Sequence, residues 1–268
     1  MSLQNTLNGA ARDSSLWFPG LQPRQNPWLR LICFPYAGAG IPAFRAWPAG
    51  LPEGIELRVA QLPGRGIRFR EDRFEQMPPL VEILTEALLP LLDRPFAFFG
   101  HSLGAIIAFE VARKLRGRGL TPQHLFASGH IAPQLPNPEP RICELPDEAF
   151  LREIQSLNGM PQAVLESKEL LEIVLPAVRS DFTLLENYQY QPGEPLGCAI
   201  TACGGLKDPR VSRSGMEGWG AQTKAAFDLV MFQGDHFFLE PERPLLLDIL
   251  TRRLFDNTPG HRDTRPTL

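Results

Sequence analysis

Residues 96–115, FAFFGHSLGAIIAFEVARKL, set a short apolar run directly against a long apolar helix pattern, with only Gly-His-Ser-Leu-Gly between them. Phe96–Gly100 reads as a buried strand. From Ala105 to Leu115 the residues Ile106, Ile107, Phe109, Val111, Ala112 and Leu115 make a helix that is apolar on most faces, hence buried. A chain that passes from buried strand to buried helix over so few residues is committed to layered α/β packing. The seam must bend sharply, and Gly100 and Gly104 at i±2 from Ser102 keep Cβ atoms out of it. Such a bend forces the serine into a sparsely populated backbone region, at a cost of about 1–3 kcal/mol. It also presents the hydroxyl clear of the sheet, at a helix N-terminus whose N–H groups favour an oxyanion. The plainer alternative is a tight turn that happens to contain a serine.

The rest of the chain repeats the alternation. Strands are expected at 29–34, 55–60, 124–129, 198–204 and 227–234, and helices at 79–92, 215–223 and 244–254. This predicts a mostly parallel central sheet with helices on both faces. One domain over 29–255 follows, preceded by a loose polar lead-in (1–28) and trailed by a polar tail (256–268). The apolar fraction of 43% and charged fraction of 21% exclude a disordered or fibrous chain. A net charge of −3 gives no electrostatic case for nucleic acid.

No apolar run approaches the ~18 residues a membrane span needs. The N-terminus lacks the basic and apolar regions of a secretory signal, so the expectation is a soluble, cytoplasmic monomer. Cys33, Cys143, Cys198 and Cys203 are scattered without a C-x-x-C pair and read as buried small hydrophobes. Cys198 and Cys203 fall on one strand, facing opposite sides.

Residues 130–197 break the pattern. A plain crossover needs far fewer residues, and most of these look helical, with a Pro-rich opening at 132–146 followed by helical spacing at 147–157 and 167–188. Asp147 is the expected N-cap of the first of these helices. Either this is a long structural crossover, or a helical lid at about 132–190 inserted over the carboxyl ends of the strands, where open α/β sheets bind ligands. The lid is favoured.

A serine hydroxyl needs a general base. In this architecture the partners follow in the order Ser, acid, His. Of five histidines only His236, in FQGDHFFL, lies just past the last strand. His101 adjoins the serine and should point away from it. Asp208, after the Gly-rich end of the fifth strand in CGGLKDP, is the expected orienting acid; Asp235, beside the histidine, is the rival. The oxyanion donors are assigned to the N–H groups of Leu103 and Ala37, the latter in the FPYAGAG loop, with Tyr36 as the other choice. Arg65, Arg68, Arg70 and Arg73 form a basic run interrupted by acids; it is either a solvated mixed-charge surface or a place for an acidic partner.

Taken together, LICFPYAGAG, LPGRGIRFRE, FAFFGHSLGAIIAFEVARKL, LPDEAF, CGGLKDP and FQGDHFFL resemble, in order, the blocks of type II thioesterases, which are α/β-hydrolases accompanying nonribosomal peptide and polyketide synthases. The resemblance implies a Ser102–Asp208–His236 triad, Ala37 and Leu103 as oxyanion donors, and the insertion as a lid over an acyl and pantetheine channel. It implies hydrolysis of acyl groups carried on the phosphopantetheine of carrier proteins, with no cofactor of the enzyme's own. Ala39 departs from the family's commoner A-G-G segment. A carboxylesterase or acyltransferase would use the same triad, and a silent binding scaffold would lack one of its members.

Overall fold

The computed structural model describes residues 13–160 and 162–257. Six strands form one sheet in the order β2-β1-β3-β4-β5-β6, every neighbouring pair parallel. They are β1 Leu29–Phe34, β2 Ile55–Val59, β3 Phe96–His101, β4 His124–Ser128, β5 Ala199–Gly205 and β6 Phe227–Phe232. Strands β1, β3, β4 and β5 are buried throughout. Near-continuous apolar runs, rather than alternation, are what a parallel sheet covered on both faces requires.

Two apolar layers cover those faces. One packs α2 (Met77–Leu88), α3 (Leu103–Arg116) and α7 (Arg213–Glu217) against the sheet, with Ile32, Phe34, Phe98 and Ile200 facing them. The other packs α8 (Arg243–Asn257) and two short 3₁₀ turns, Ile41–Phe44 and Trp47–Gly50, against Leu31, Phe99 and Phe126. Cys198 lies in the first layer and Cys203 in the second, and all four cysteines are free and buried. Among the described residues no helix is long and apolar enough to cross a membrane.

The sequence expectations hold for each strand and long helix to within a few residues at the ends. Three readings change. Residues 13–28 are not loose: α1 (Ser14–Trp17) is capped by Asp13, and Trp17 and Phe18 are buried in the core. Residues 1–12 and 258–268 lie outside the described residues. Asp147 is not the N-cap but the first helical residue, after Pro146, and its carboxylate pairs with Arg179 at 2.7 Å. Arg65 and Arg68 are not surface residues. Arg68 is 2% exposed, lies 3.5 Å over the Trp17 ring and donates to the Gln61 carbonyl and the Glu71 carboxylate.

The segment between β4 and β5 carries α4 (Asp147–Ser156), α5 (Gln162–Leu165) and α6 (Lys168–Glu186), and has its own apolar cluster around Phe150, Ile154, Val178 and Phe182. Its Pro-rich start is sutured to α6. Arg179 donates to the carbonyls of Cys143 and Leu145, and Glu186 accepts from the N–H groups of Ile142 and Cys143. Past α6 the chain descends along α3, held by Tyr188 to Glu110 and by Arg113 to the Gln191 carbonyl, before entering β5.

Candidate active site

The bend predicted at the β3–α3 seam is real. Ser102 has φ 54° and ψ −119°, a conformation L-residues rarely adopt. Its N–H donates to the Ser128 carbonyl at 2.7 Å, so the elbow is pinned to the end of β4. The flanking glycines are steric necessities. A Cβ on Gly100 would stand 2.1 Å from the Gly104 carbonyl oxygen, and one on Gly104 would stand 1.9 Å from that of Phe34.

Asp208 and His236 come together because the loops after β5 and β6 interlock. Leu206 N–H donates to the Phe232 carbonyl and Lys207 N–H to that of Gly234. A Cβ on Gly205 would lie 2.2 Å from the Asp235 carbonyl oxygen, so only glycine permits this approach. His236 Nδ1 and Asp208 Oδ2 are 2.7 Å apart, and Asp208 Oδ1 accepts the Arg210 N–H at 2.9 Å. A carboxylate on Nδ1 makes that nitrogen the N–H and leaves Nε2 as the acceptor.

Asp235 takes no part in this pair. It accepts from the Phe237 N–H at 2.9 Å and from Asn158 Nδ2, at the C-terminal end of α4, at 3.1 Å. His101 turns its Nδ1 to Ser128 Oγ at 2.8 Å, and burial holds its pKa well below the usual histidine value. His130, whose Nδ1 faces the Ile131 carbonyl, is pushed by burial down to about 4 and is therefore neutral at pH 7.

Ser102 and His236 line one cavity of about 570 Å³, together with Ala37, Gly38 and His130. The roof is the β4–β5 insertion: Ile154, Leu157, Met160, Val174, Val178 and Phe182 face the same space, so it is a lid in position and apolar in character. Among the described residues Ser102 Oγ has no hydrogen-bond partner; such contacts often close only when substrate is bound.

In the loop after β1, Gly38 donates its N–H to Asp181 and Ala39 donates to the Tyr36 carbonyl. The N–H groups of Ala37 and of Leu103, the first residue of α3, are given to no other described residue. Among the described residues no group of three or more His, Cys, Asp or Glu side chains is arranged to hold a metal ion.

Sequence reasoning missed a buried ion pair beside this loop. Arg65 and Asp181, 116 residues apart, meet through two contacts of 2.7 Å. The signals were a carboxylate inside the apolar stripe of α6, beside Val178 and Phe182, and an arginine between two loop glycines.

A strained serine at a strand–helix elbow and a buried Asp–His pair beyond the next strands, on a parallel sheet with a helical roof, define an α/β-hydrolase. The thioesterase-domain family model matches residues 29–254. The chain is 47% identical over 236 residues to linear gramicidin dehydrogenase LgrE of Brevibacillus parabrevis, covering 87% of this chain and 90% of that protein. It is 43% identical over 239 residues to gramicidin S biosynthesis protein GrsT of Aneurinibacillus migulanus, covering 89% and 93%. The structure of BorB, a type II thioesterase from the borrelidin biosynthetic cluster, superposes with a TM-score of 0.84 at 33% identity, covering 89% of this chain and 98% of that one. The chain belongs to the thioesterase family, as a type II thioesterase.

Proposed function

We propose that Ser102, His236 and Asp208 act as a catalytic triad that hydrolyses acyl thioesters carried on the phosphopantetheine arm of cytoplasmic carrier proteins. In this role the enzyme clears stalled or misprimed acyl groups from a nonribosomal peptide or polyketide synthase. The observation that carries the reading is the 2.7 Å pair between His236 Nδ1 and the buried Asp208, on the same cavity that the half-buried Ser102 elbow lines. That GrsT serves gramicidin S biosynthesis and BorB belongs to the borrelidin biosynthetic cluster supports the carrier-bound substrate.

In the first half-reaction His236 Nε2 takes the Ser102 hydroxyl proton as Oγ attacks the thioester carbonyl. The tetrahedral oxyanion is received by the N–H groups of Ala37 and Leu103, at the helix N-terminus. The C–S bond then breaks, His236 returns the proton to the departing sulfur, and an acyl-Ser102 ester remains. In the second half a water gives its proton to His236 and attacks that ester. The C–O bond to Ser102 breaks, and the free acid leaves with Ser102 reprotonated. Asp208 holds the imidazole tautomer and stabilises the imidazolium at each stage. The apolar roof receives the acyl chain. The reaction as written draws on these side chains and water alone.

The test offers acyl-carrier protein, acyl-pantetheine and simple esters to the wild type and to Ser102→Ala. Wild type is expected to prefer the carrier-bound thioester, and Ser102→Ala to lose turnover by roughly 10³-fold or more. An unimpaired Ser102→Ala variant overturns the mechanism; a strong preference for oxygen esters overturns the substrate assignment.

A further inference from the structure

The buried pair that joins the lid to the sheet domain does more than hold the lid down. Asp181 lies on α6 and is 3% exposed. Its Oδ2 accepts the Gly38 N–H at 2.7 Å, and its two oxygens take both terminal nitrogens of Arg65, each at 2.7 Å. Arg65 Nη1 also donates to the Ala39 carbonyl at 2.9 Å. One guanidinium–carboxylate unit therefore grips Gly38 by its N–H and Ala39 by its C=O.

The loop it grips is a β-turn. Ala39 N–H returns to the Tyr36 carbonyl at 2.9 Å, which makes Ala37 and Gly38 the two central residues. Gly38 has φ 77°, the left-handed value that a type II turn demands at its second central residue. Types I and II differ chiefly by a flip of the central peptide, which exchanges the places of the Ala37 C=O and the Gly38 N–H. A carboxylate 2.7 Å from that peptide attracts the N–H and repels the C=O, so it selects one of the two orientations. The same face of α6 checks the turn sterically: a Cβ on Gly38 would stand 2.6 Å from Val178 Cγ2, three residues before Asp181.

We propose that Asp181 is a positioning residue through which a docked lid sets the oxyanion loop. The Asp181 carboxylate at the Gly38 N–H, and the Arg65 guanidinium it holds at the Ala39 C=O, pin the two residues that follow Ala37, and so fix where the turn places the Ala37 N–H. The proposal rests on the assignment of Ala37 as an oxyanion donor. The consequence is that the lid both roofs the acyl chain and completes the electrostatics of the transition state. When α6 leaves, Gly38 loses its acceptor and the turn loses the charge that selects its orientation.

The experiment compares wild type, Asp181→Asn and Asp181→Ala on a short acyl-pantetheine thioester, whose acyl group needs little of the apolar roof. The readouts are kcat, KM, the affinity of a boronic-acid transition-state analogue, the rate of Ser102 phosphonylation by a fluorophosphonate, and thermal unfolding. Losing a whole oxyanion donor costs about 10²–10³ in kcat, so a misaimed one is expected to cost about 10- to 100-fold in Asp181→Ala. KM should move less than about threefold, because the interaction is made in the transition state. Analogue affinity and phosphonylation rate should fall with kcat/KM.

Asp181→Asn keeps an acceptor for Gly38 and should show a smaller loss in the same direction. It serves alone if Asp181→Ala does not fold. The proposal is overturned if either folded variant changes only Tm or KM, or if kcat falls while analogue affinity stays at the wild-type value. A Ser102→Ala control separates the two levels: turnover that survives it sinks the triad itself, whatever Asp181 does.

Discussion

His236 Nδ1 lies 2.7 Å from Oδ2 of Asp208, whose side chain is fully buried beneath the imidazole. Asp208→Asn keeps the shape but offers an amide where a carboxylate stood, which favours the wrong tautomer. The expected outcome is a fall in kcat of about 10³–10⁴ with folding retained. Asp235→Asn touches only the Phe237 N–H and an exposed bond to Asn158, and should change kcat less than about threefold. Steady-state kinetics on the two variants decide between the carboxylates.

The elbow glycines carry a stability prediction. With a Cβ 2.1 Å from the Gly104 carbonyl oxygen in Gly100→Ala, and 1.9 Å from that of Phe34 in Gly104→Ala, backbone must move in both variants. Each should lose about 3 kcal/mol or more, at the severe end for overpacking. Urea unfolding monitored by circular dichroism measures it. Gly119→Ala, at a glycine with open space around it but φ 73°, should lose far less.

Acid should destabilise the fold through its buried histidines. Burial lowers His124 to about 3 and His130 to about 4, from 6.5 in the unfolded chain. Between those values the unfolded state binds more protons, so stability is complete above about pH 6.5 and is lost as pH falls toward 4. His124 also bonds Thr201 Oγ1 at 2.8 Å. His124→Gln keeps a polar partner for Thr201 but does not titrate, and should flatten the dependence of Tm on pH between 6.5 and 4 relative to wild type.

Chain-length selection should follow the roof. Val174 and Phe182 line the cavity beneath α6. Val174→Trp fills space that a long acyl chain would occupy. It should raise KM for long-chain acyl-pantetheine at least tenfold while leaving an acetyl substrate within about threefold, since a lost apolar subsite costs about 1–3 kcal/mol per small group. Equal effects on both substrates would place the acyl chain elsewhere.

The sheet and the elbow were legible because their signals are local. Six apolar runs and a serine between two glycines are patterns within a few adjacent residues. Ser102, Asp208 and His236 could be ordered along the chain because each follows directly after a strand. Trp17 and Phe18 were hidden by polar and Pro-bearing neighbours, and their burial depends on partners such as Arg68, stacked on Trp17 from far along the chain. Arg65 looked like a surface charge for the same reason. What makes it internal is Asp181 on the lid, and no periodicity links residues 116 positions apart. Cap residues are decided by a turn of backbone, so Pro146 rather than Asp147 opening α4 was beyond pattern reading.

The four sequestered cysteines bear on how such an enzyme survives its own product. Each turnover proposed here frees a pantetheine thiol inside the cavity. Burial raises Cys198 and Cys203 to about 12 and Cys33 well above its usual value, so none of the three presents a thiolate to it. Among the described residues no cysteine lines the cavity, so the acyl group and the released thiol meet no sulfur of the enzyme there.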